Sequence, residues 1–341
     1  VGTGKTLLCR KLLNSFDDST IVAYIANSYL SPDELRYAIA NELQIDISSD
    51  LDQQSLSQKI QDQLLALNHQ GKRVVLIIDE ASQALEPACW IAIKKAYRVV
   101  MAGDHLQLPP TIKSLKAAKD GLAETLFEKA IQHIDESVML ETQYRMHPDI
   151  MKFSGDHFYK GQLKTAEDVI LRDSANELEH FTFIDTAGCG FDEKVKKETL
   201  STYNADEANL LIKHLSNNLS LDHSVGIIAP YKAQIEILRD LVLKNSAFDA
   251  VRDQVSVNTV DAFQGQERDV IYISLTRSND KNEIGFLKEY RRMNVAMTRA
   301  KTQLVIIGDS ATLGKDSFFN AVIDYAQKIG GYKSAFEFIY D

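Results

Sequence analysis

The sequence is short of several things, and each shortage excludes something. Its 341 residues hold 3 cysteines, Cys9, Cys89 and Cys189, with no C-x-x-C pair. That argues against a disulfide framework and for reduced thiols in a reducing, cytoplasmic setting. The 8 histidines show no metal-ligand spacing, so a zinc site is not expected. No apolar run approaches the roughly 20 residues of a membrane helix, and no secretory signal is visible. Internal repeats and low-complexity tracts are missing too. A basic excess is also lacking: 38 basic side chains face 48 acidic ones, for a net charge of −10. This argues mildly against a protein coated by nucleic acid but leaves a local basic groove open.

What is present is alternation. "TIVAYIA" (20–26), "RVVLIID" (73–79), "RVVMAGD" (98–104) and "SVMLETQ" (137–143) are short apolar runs that predict strands. Helical patterns separate them at 31–43, 55–70 and 120–132. Ser31-Pro32-Asp33-Glu34 is a helix start, with a capping serine, proline at the first position and acids in the first turn. The second half repeats the grammar, with strands at 181–186, 225–231, 255–260, 269–276 and 303–309. Its helices fall at 204–217, 232–244, 287–299 and 316–329, and 187–204 reads as a loop. Apolar strands linked by helices predict an α/β fold with parallel sheets covered on both faces. The length suggests two domains, 1–140 and 141–341.

The chain opens on "VGTGKT". This is a phosphate loop, G-x-x-x-x-G-K-[ST], without the glycine five residues before Gly4. The expectation is therefore an N-terminal truncation and a first domain without its N-terminal strand. In such a loop the backbone around Gly2 and Gly4 cradles phosphates, Lys5 reaches the β- and γ-phosphates of ATP, and Thr6 ligates Mg2+. A chance G-x-G-K-T in a turn is the plain alternative. "VVLIIDEAS" weakens that alternative. Asp79 ends an apolar strand and can hold magnesium, and Glu80 beside it can orient the attacking water.

Further strings add to this pair. "AGDHLQLPP" (102–110) offers Gln107 as a γ-phosphate sensor at a strand's C-terminal end, where such sheets bind ligands. "ETQYRMHP" (141–148) sets Tyr144, able to stack on a base, beside Arg145, able to stabilise a transferring phosphoryl group. Alone, that string would read as a packed tyrosine and a surface arginine. "TVDAFQGQERD" carries Gly265 and Glu267 in a polar loop, and "RRMNVAMTRAK" carries Arg299 in an apolar turn that favours an inward, cleft-facing side chain.

These strings occur in order from Asp79 to Asp341, together with "FIDTAGCG", "VGIIAPYKAQ", "TRSN" and "SAFEFIYD". The ordered set resembles the superfamily 1B helicases of the nonsense-mediated-decay and immunoglobulin-mu-binding type. The resemblance implies two tandem RecA-like P-loop NTPase domains that hydrolyse ATP between them and move 5′ to 3′ on single-stranded DNA or RNA. It assigns Asp79 and Glu80 to the metal and the water, and Gln107 to coupling. Tyr144 and Gly265 fall to the nucleotide, Glu267 to the ribose, and Arg145 and Arg299 to the phosphates. Pro230, Tyr231 and Thr259 fall to the strand. Residues 1–78 instead resemble the ExeA-like AAA ATPases of general secretion, through "VGTGKTLLCRKLL" and "AYIANSYLSPDELRYAIANELQI". The chain thus looks chimeric, with a join near 77–82. A secretion-type ATPase and a nucleotide-gated binding module stand as rival expectations.

Overall fold

A computed structural model of the chain describes residues 2–26, 31–47, 52–94, 96, 98–112, 114–134, 137–173 and 179–339. The chain divides into two compact units. One is Gly4–Leu140, and the other is Glu141–Asp341 together with Val1–Thr3. The opening loop is thus shared out, Gly2 going with the C-terminal unit rather than with residues 4–140.

In the N-terminal unit the elements are α1 (Lys5–Leu13), β1 (Thr20–Ile25), α2 (Pro32–Glu42), α3 (Gln53–His69), β2 (Arg73–Ile78), α4 (Glu86–Ile93), β3 (Arg98–Met101), α5 (Leu115–Ala117) and α6 (Leu126–His133). The strands form a parallel sheet in the order β1-β2-β3. Side chains alternate across it. Ala23, Ile25, Leu76 and Ile78 pack with Leu35 and Ile39 of α2 and Leu56 and Ile60 of α3. Val75 and Ile77 face the other way, toward Cys9 and Leu12 of α1. Both faces of β2 are therefore covered, which is why it runs apolar from Val74 to Ile78 after Arg73. α2 begins as expected, with the Ser31 hydroxyl and the Glu34 carboxylate capping each other's backbone.

The C-terminal unit adds β4 (Thr142–Gln143), α7 (Pro148–Phe158), β5 (Lys164–Thr165), α8 (Glu167–Asp173), β6 (Phe181–Asp185), β7 (Lys194–Val195), β8 (Thr202–Tyr203), α9 (Ala205–Asn217), β9 (Val225–Ile228) and α10 (Lys232–Lys244). Then come β10 (Val255–Asn258), β11 (Arg268–Ser274), α11 (Tyr290–Met297), β12 (Ala300–Gly308), α12 (Ser310–Leu313), α13 (Ser317–Lys328), β13 (Tyr332–Ser334) and α14 (Phe336–Ile339). Six of these strands make a parallel sheet, ordered β10-β9-β11-β12-β6-β13. Its core includes Ile227, Tyr272, Val305 and Ile307 packed against Leu211 of α9 and Leu238 of α10.

The structure corrects three local expectations. "SVMLETQ" is not a strand: only Thr142 and Gln143 pair, with Lys164 and Thr165, and Val138 is 85% exposed. An apolar run becomes a strand only with a ladder partner. The helix expected at 120–132 starts at Leu126, behind a capping box of Thr125 and Glu128, and Gly121 upstream sits at φ 107°. The loop at 187–204 contains the antiparallel hairpin β7–β8.

One buried carboxyl shapes the sheet's end. Glu207, in the first turn of α9, is fully buried and accepts from the Ser274 hydroxyl and the Thr276 N–H. Burial raises its pKa from an ordinary 4.5 to about 7, against the pull of those two hydrogen bonds. The folded state therefore holds a proton that the unfolded chain releases. The associated stability is present below about pH 4.5 and is lost as pH rises through about 7. Glu207→Gln, neutral at every pH, should match the wild type near pH 4.5 and exceed its stability above pH 7. Urea midpoints at the two ends of that window measure the difference; a constant offset would show that Glu207 does not titrate there.

Candidate active site

In the N-terminal unit three segments converge on one carboxylate. Gly4 caps α1 at φ 75°, a left-handed conformation that favours glycine, so Lys5 and Thr6 open the helix. The Thr6 hydroxyl donates to Asp79 Oδ2 at 2.7 Å, and the Tyr24 hydroxyl donates to the same oxygen at 3.0 Å. Asp79 is buried at the C-terminal end of β2. Tyr24 comes from β1, where it pairs in register with Ile77. Burial first, and then the hydrogen bond to Asp79, push the Tyr24 phenol up to about 12. Glu80 adopts the left-handed region at φ 50° and its N–H donates to Asp79 Oδ1 at 3.0 Å. Its carboxylate accepts from Gln83 Nε2 at 2.9 Å.

The loop after β3 is lashed to this strand end. Asp104 N–H donates to the Ser82 hydroxyl, and a Cβ on Gly103 would lie 2.9 Å from the Ser82 nitrogen. Gln107 is buried, with Nε2 donating to Asp104 Oδ2 at 2.7 Å. The structure therefore brings Thr6 onto Asp79 beside Glu80, sets Lys5 at the start of the same helix as Thr6, and fixes Gln107 on a loop tied to that strand end.

The C-terminal unit assembles a second group. Arg145 donates through Nε to Glu267 Oε2 at 2.7 Å and through Nη1 to the Thr298 carbonyl at 2.9 Å. Glu267 also pairs with Lys301 at 3.3 Å. Burial acts to raise the Glu267 carboxyl, but the charges and hydrogen bonds of Arg145 and Lys301 outweigh it, so its pKa is lowered. Gly265 supports this loop at φ 75°. Tyr144 is 56% exposed, and its N–H donates to the Gly2 carbonyl. Gly2 is confined: a Cβ there would fall 2.7 Å from that of Arg145.

Two expectations need correction here. Arg299 does point inward, but it is buried, donating to the carbonyls of Val295 and Gln266 and to the Thr298 hydroxyl. Its guanidinium is thus held by groups of the C-terminal unit itself. Tyr231 is buried too, its hydroxyl accepting from Arg277 Nη1 and from the Phe286 N–H. Its side chain presents no open surface to a strand, whereas Pro230 and Thr259 are half-buried.

A family model described as an AAA domain matches residues 122–311. The chain belongs to that family. A second AAA-domain model matches residues 47–115, running through the expected join at 77–82. Among curated relatives of this AAA-domain chain is the DNA-binding protein SMUBP-2 of Rattus norvegicus, 36% identical over 281 residues, covering 78% of the chain and 28% of the relative. An uncharacterized ATP-dependent helicase of Methanocaldococcus jannaschii is 39% identical, over 75% of the chain and 39% of the relative. The DNA polymerase alpha-associated DNA helicase A of Saccharomyces cerevisiae is 39% identical, over 70% and 38%. The chain thus spans well under half the length of these relatives. They support the superfamily 1 helicase resemblance. The secretion-type similarity of residues 1–78 and a composite origin gain no support from them. No helix among the described residues is long and apolar enough to cross a membrane.

Sequence reasoning missed Tyr24, because a tyrosine inside "TIVAYIA" looks like any strand residue. It also missed Glu193, whose partner Arg277 lies 84 residues away.

Proposed function

We propose that this AAA-domain chain is the motor part of an ATP-dependent helicase or translocase acting on single-stranded DNA or RNA. The observation that carries the reading is the 2.7 Å hydrogen bond from Thr6 to Asp79, which brings the lysine loop onto the acidic pair. The Thr6 hydroxyl and Asp79 carboxylate are hard oxygen donors and suit Mg2+, which takes few protein ligands and keeps several waters. When bound with ATP, the ion would neutralise charge on the phosphates.

The chain's own residues supply the rest. Lys5 holds the β- and γ-phosphates. Glu80 orients the attacking water and accepts its proton. Gln107, on the loop tied to Ser82, reports the γ-phosphate. The resemblance assigns Arg145 and Arg299 to the charge that develops on the transferring group, and Tyr144, Gly265 and Glu267 to the nucleoside. Movement 5′ to 3′ and a cytoplasmic setting belong to the same reading, the latter supported by three unpaired cysteines.

Phosphate release with and without a single-stranded oligonucleotide tests the proposal. Stimulation by the strand is the expected result. Turnover indifferent to nucleic acid would favour an ATPase acting on protein partners, and nucleotide binding without turnover would favour a gated binding module.

A further inference from the structure

The TRSN string leads to a cluster that the nucleotide residues do not use. The chain leaves β11 through Thr276, at φ 70°, whose N–H is held by buried Glu207. Arg277 follows and is buried. Its Nε and Nη2 donate to the two oxygens of Glu193 at 2.8 and 3.0 Å, and its Nη1 donates to the Tyr231 hydroxyl at 3.2 Å. Glu193 also accepts from the Ser278 N–H and from Asn279 Nδ2. A buried, forked ion pair of this kind contributes little net stability, because desolvation offsets its attraction. Its geometric effect is to hold something in place.

What it holds is Gly285–Phe286. Gly285 sits at φ 55°, and a Cβ there would fall 2.1 Å from Arg277 Nη1 and 2.6 Å from the Tyr231 hydroxyl. The Phe286 N–H donates to that hydroxyl at 3.3 Å. The two rings lie 5.5 Å apart, tilted by 42°. Yet Phe286 is 64% exposed. Single exposed apolar side chains are ordinary. Phe286 differs because a buried arginine, a buried tyrosine and a constrained glycine fix its backbone and leave its ring bare.

Cations lie on the adjoining elements. Glu193 leads into the β7–β8 hairpin, which carries Lys194 and Lys197, both exposed. The hairpin's Ser201 hydroxyl accepts from the Ala233 N–H at the start of α10, next to exposed Lys232. A rigid, exposed aromatic ring is the chemistry that receives a base, and exposed lysines on the same unit are the chemistry that meets phosphates.

We propose that Phe286 is a base-stacking residue of the C-terminal unit, with single-stranded nucleic acid as its ligand. This rests on the helicase reading and adds to it the residue that receives a base. Anisotropy titration of the full chain with labelled oligothymidylate, and with an abasic strand of equal length, separates the two contributions. Phe286→Ala should weaken binding of the base-bearing strand by about 5- to 150-fold, the range of one aromatic–base stack. Binding of the abasic strand should not change, nor should the slope of log affinity against log salt, because no phosphate contact is lost. Phe286→Trp should retain the affinity. If Phe286→Ala binds both strands as the wild type does, or weakens both equally, the stacking assignment is wrong and the helicase reading stands. If the wild type binds neither strand, both fall.

Discussion

Replacing Glu80 by glutamine is expected to cut steady-state phosphate release by about 10²–10⁴-fold while ATP binding stays nearly intact. The substitution is isosteric and should preserve the local geometry. The Glu80 N–H still reaches Asp79 Oδ1, and an amide oxygen can still accept from Gln83 Nε2. Thr6 and Tyr24 still converge on Asp79 Oδ2, so the metal-holding oxygens are undisturbed. What disappears is the carboxylate next to Asp79 that is assigned to take a proton from water. Phosphate release, measured beside a nucleotide titration of the same preparation, separates turnover from binding. Wild-type turnover in the variant would remove Glu80 from the mechanism.

Arg145→Ala is expected to slow hydrolysis by roughly 10³-fold or more, the scale on which an arginine that stabilises phosphoryl transfer acts. The fold should tolerate it. Glu267 keeps Lys301 at 3.3 Å, and the backbone turn is held independently by buried Gln143, which accepts from the Arg145 and Met146 N–H groups. Arg299→Ala should behave differently. Its buried guanidinium bonds the Val295 and Gln266 carbonyls and the Thr298 hydroxyl, and each such hydrogen bond lost costs about 0.5–1.5 kcal/mol. That variant should lose both turnover and thermal stability. Melting curves taken alongside phosphate release decide the assignments. An Arg145→Ala protein that unfolds at low temperature, or one that turns over normally, would make Arg145 structural.

The parts of this molecule legible in its sequence are those where chemistry and local geometry coincide. A buried parallel strand is a run of apolar residues, and the first polar residue after it marks the ligand-binding end; that places Asp79 without any structure. The glycine before Lys5 and the serine–glutamate cap of α2 are local in the same way. The Thr125–Glu128 cap was also in the sequence, and it could have moved the start of its helix from 120 to 126. Other features were beyond local reading because their partners are distant. Tyr24 meets Asp79 across 55 residues, and Arg277 meets Glu193 across 84. Whether an arginine in "MTRAK" lies bare or bonded to carbonyls depends on where the Gln266 loop falls, which no pattern around Arg299 encodes.

The strand order of the larger sheet has a consequence for how the chain is made. β6, at Phe181–Asp185, lies between β12 and β13, so both its ladders await segments that emerge much later, at Leu304–Gly308 and Tyr332–Ser334. At ribosomal elongation rates that interval is roughly 7 to 30 s. Until Gly308 emerges, Phe181, Phe183 and Ile184, buried in the finished protein, sit on a strand with two open edges, and from then until Ser334 with one. Synthesis from the N-terminus therefore exposes this sticky strand, next to the sheet's edge, first and closes its second side last. During translation this segment is where a chaperone would have most to shield, and a pause before residue 334 would prolong its exposure.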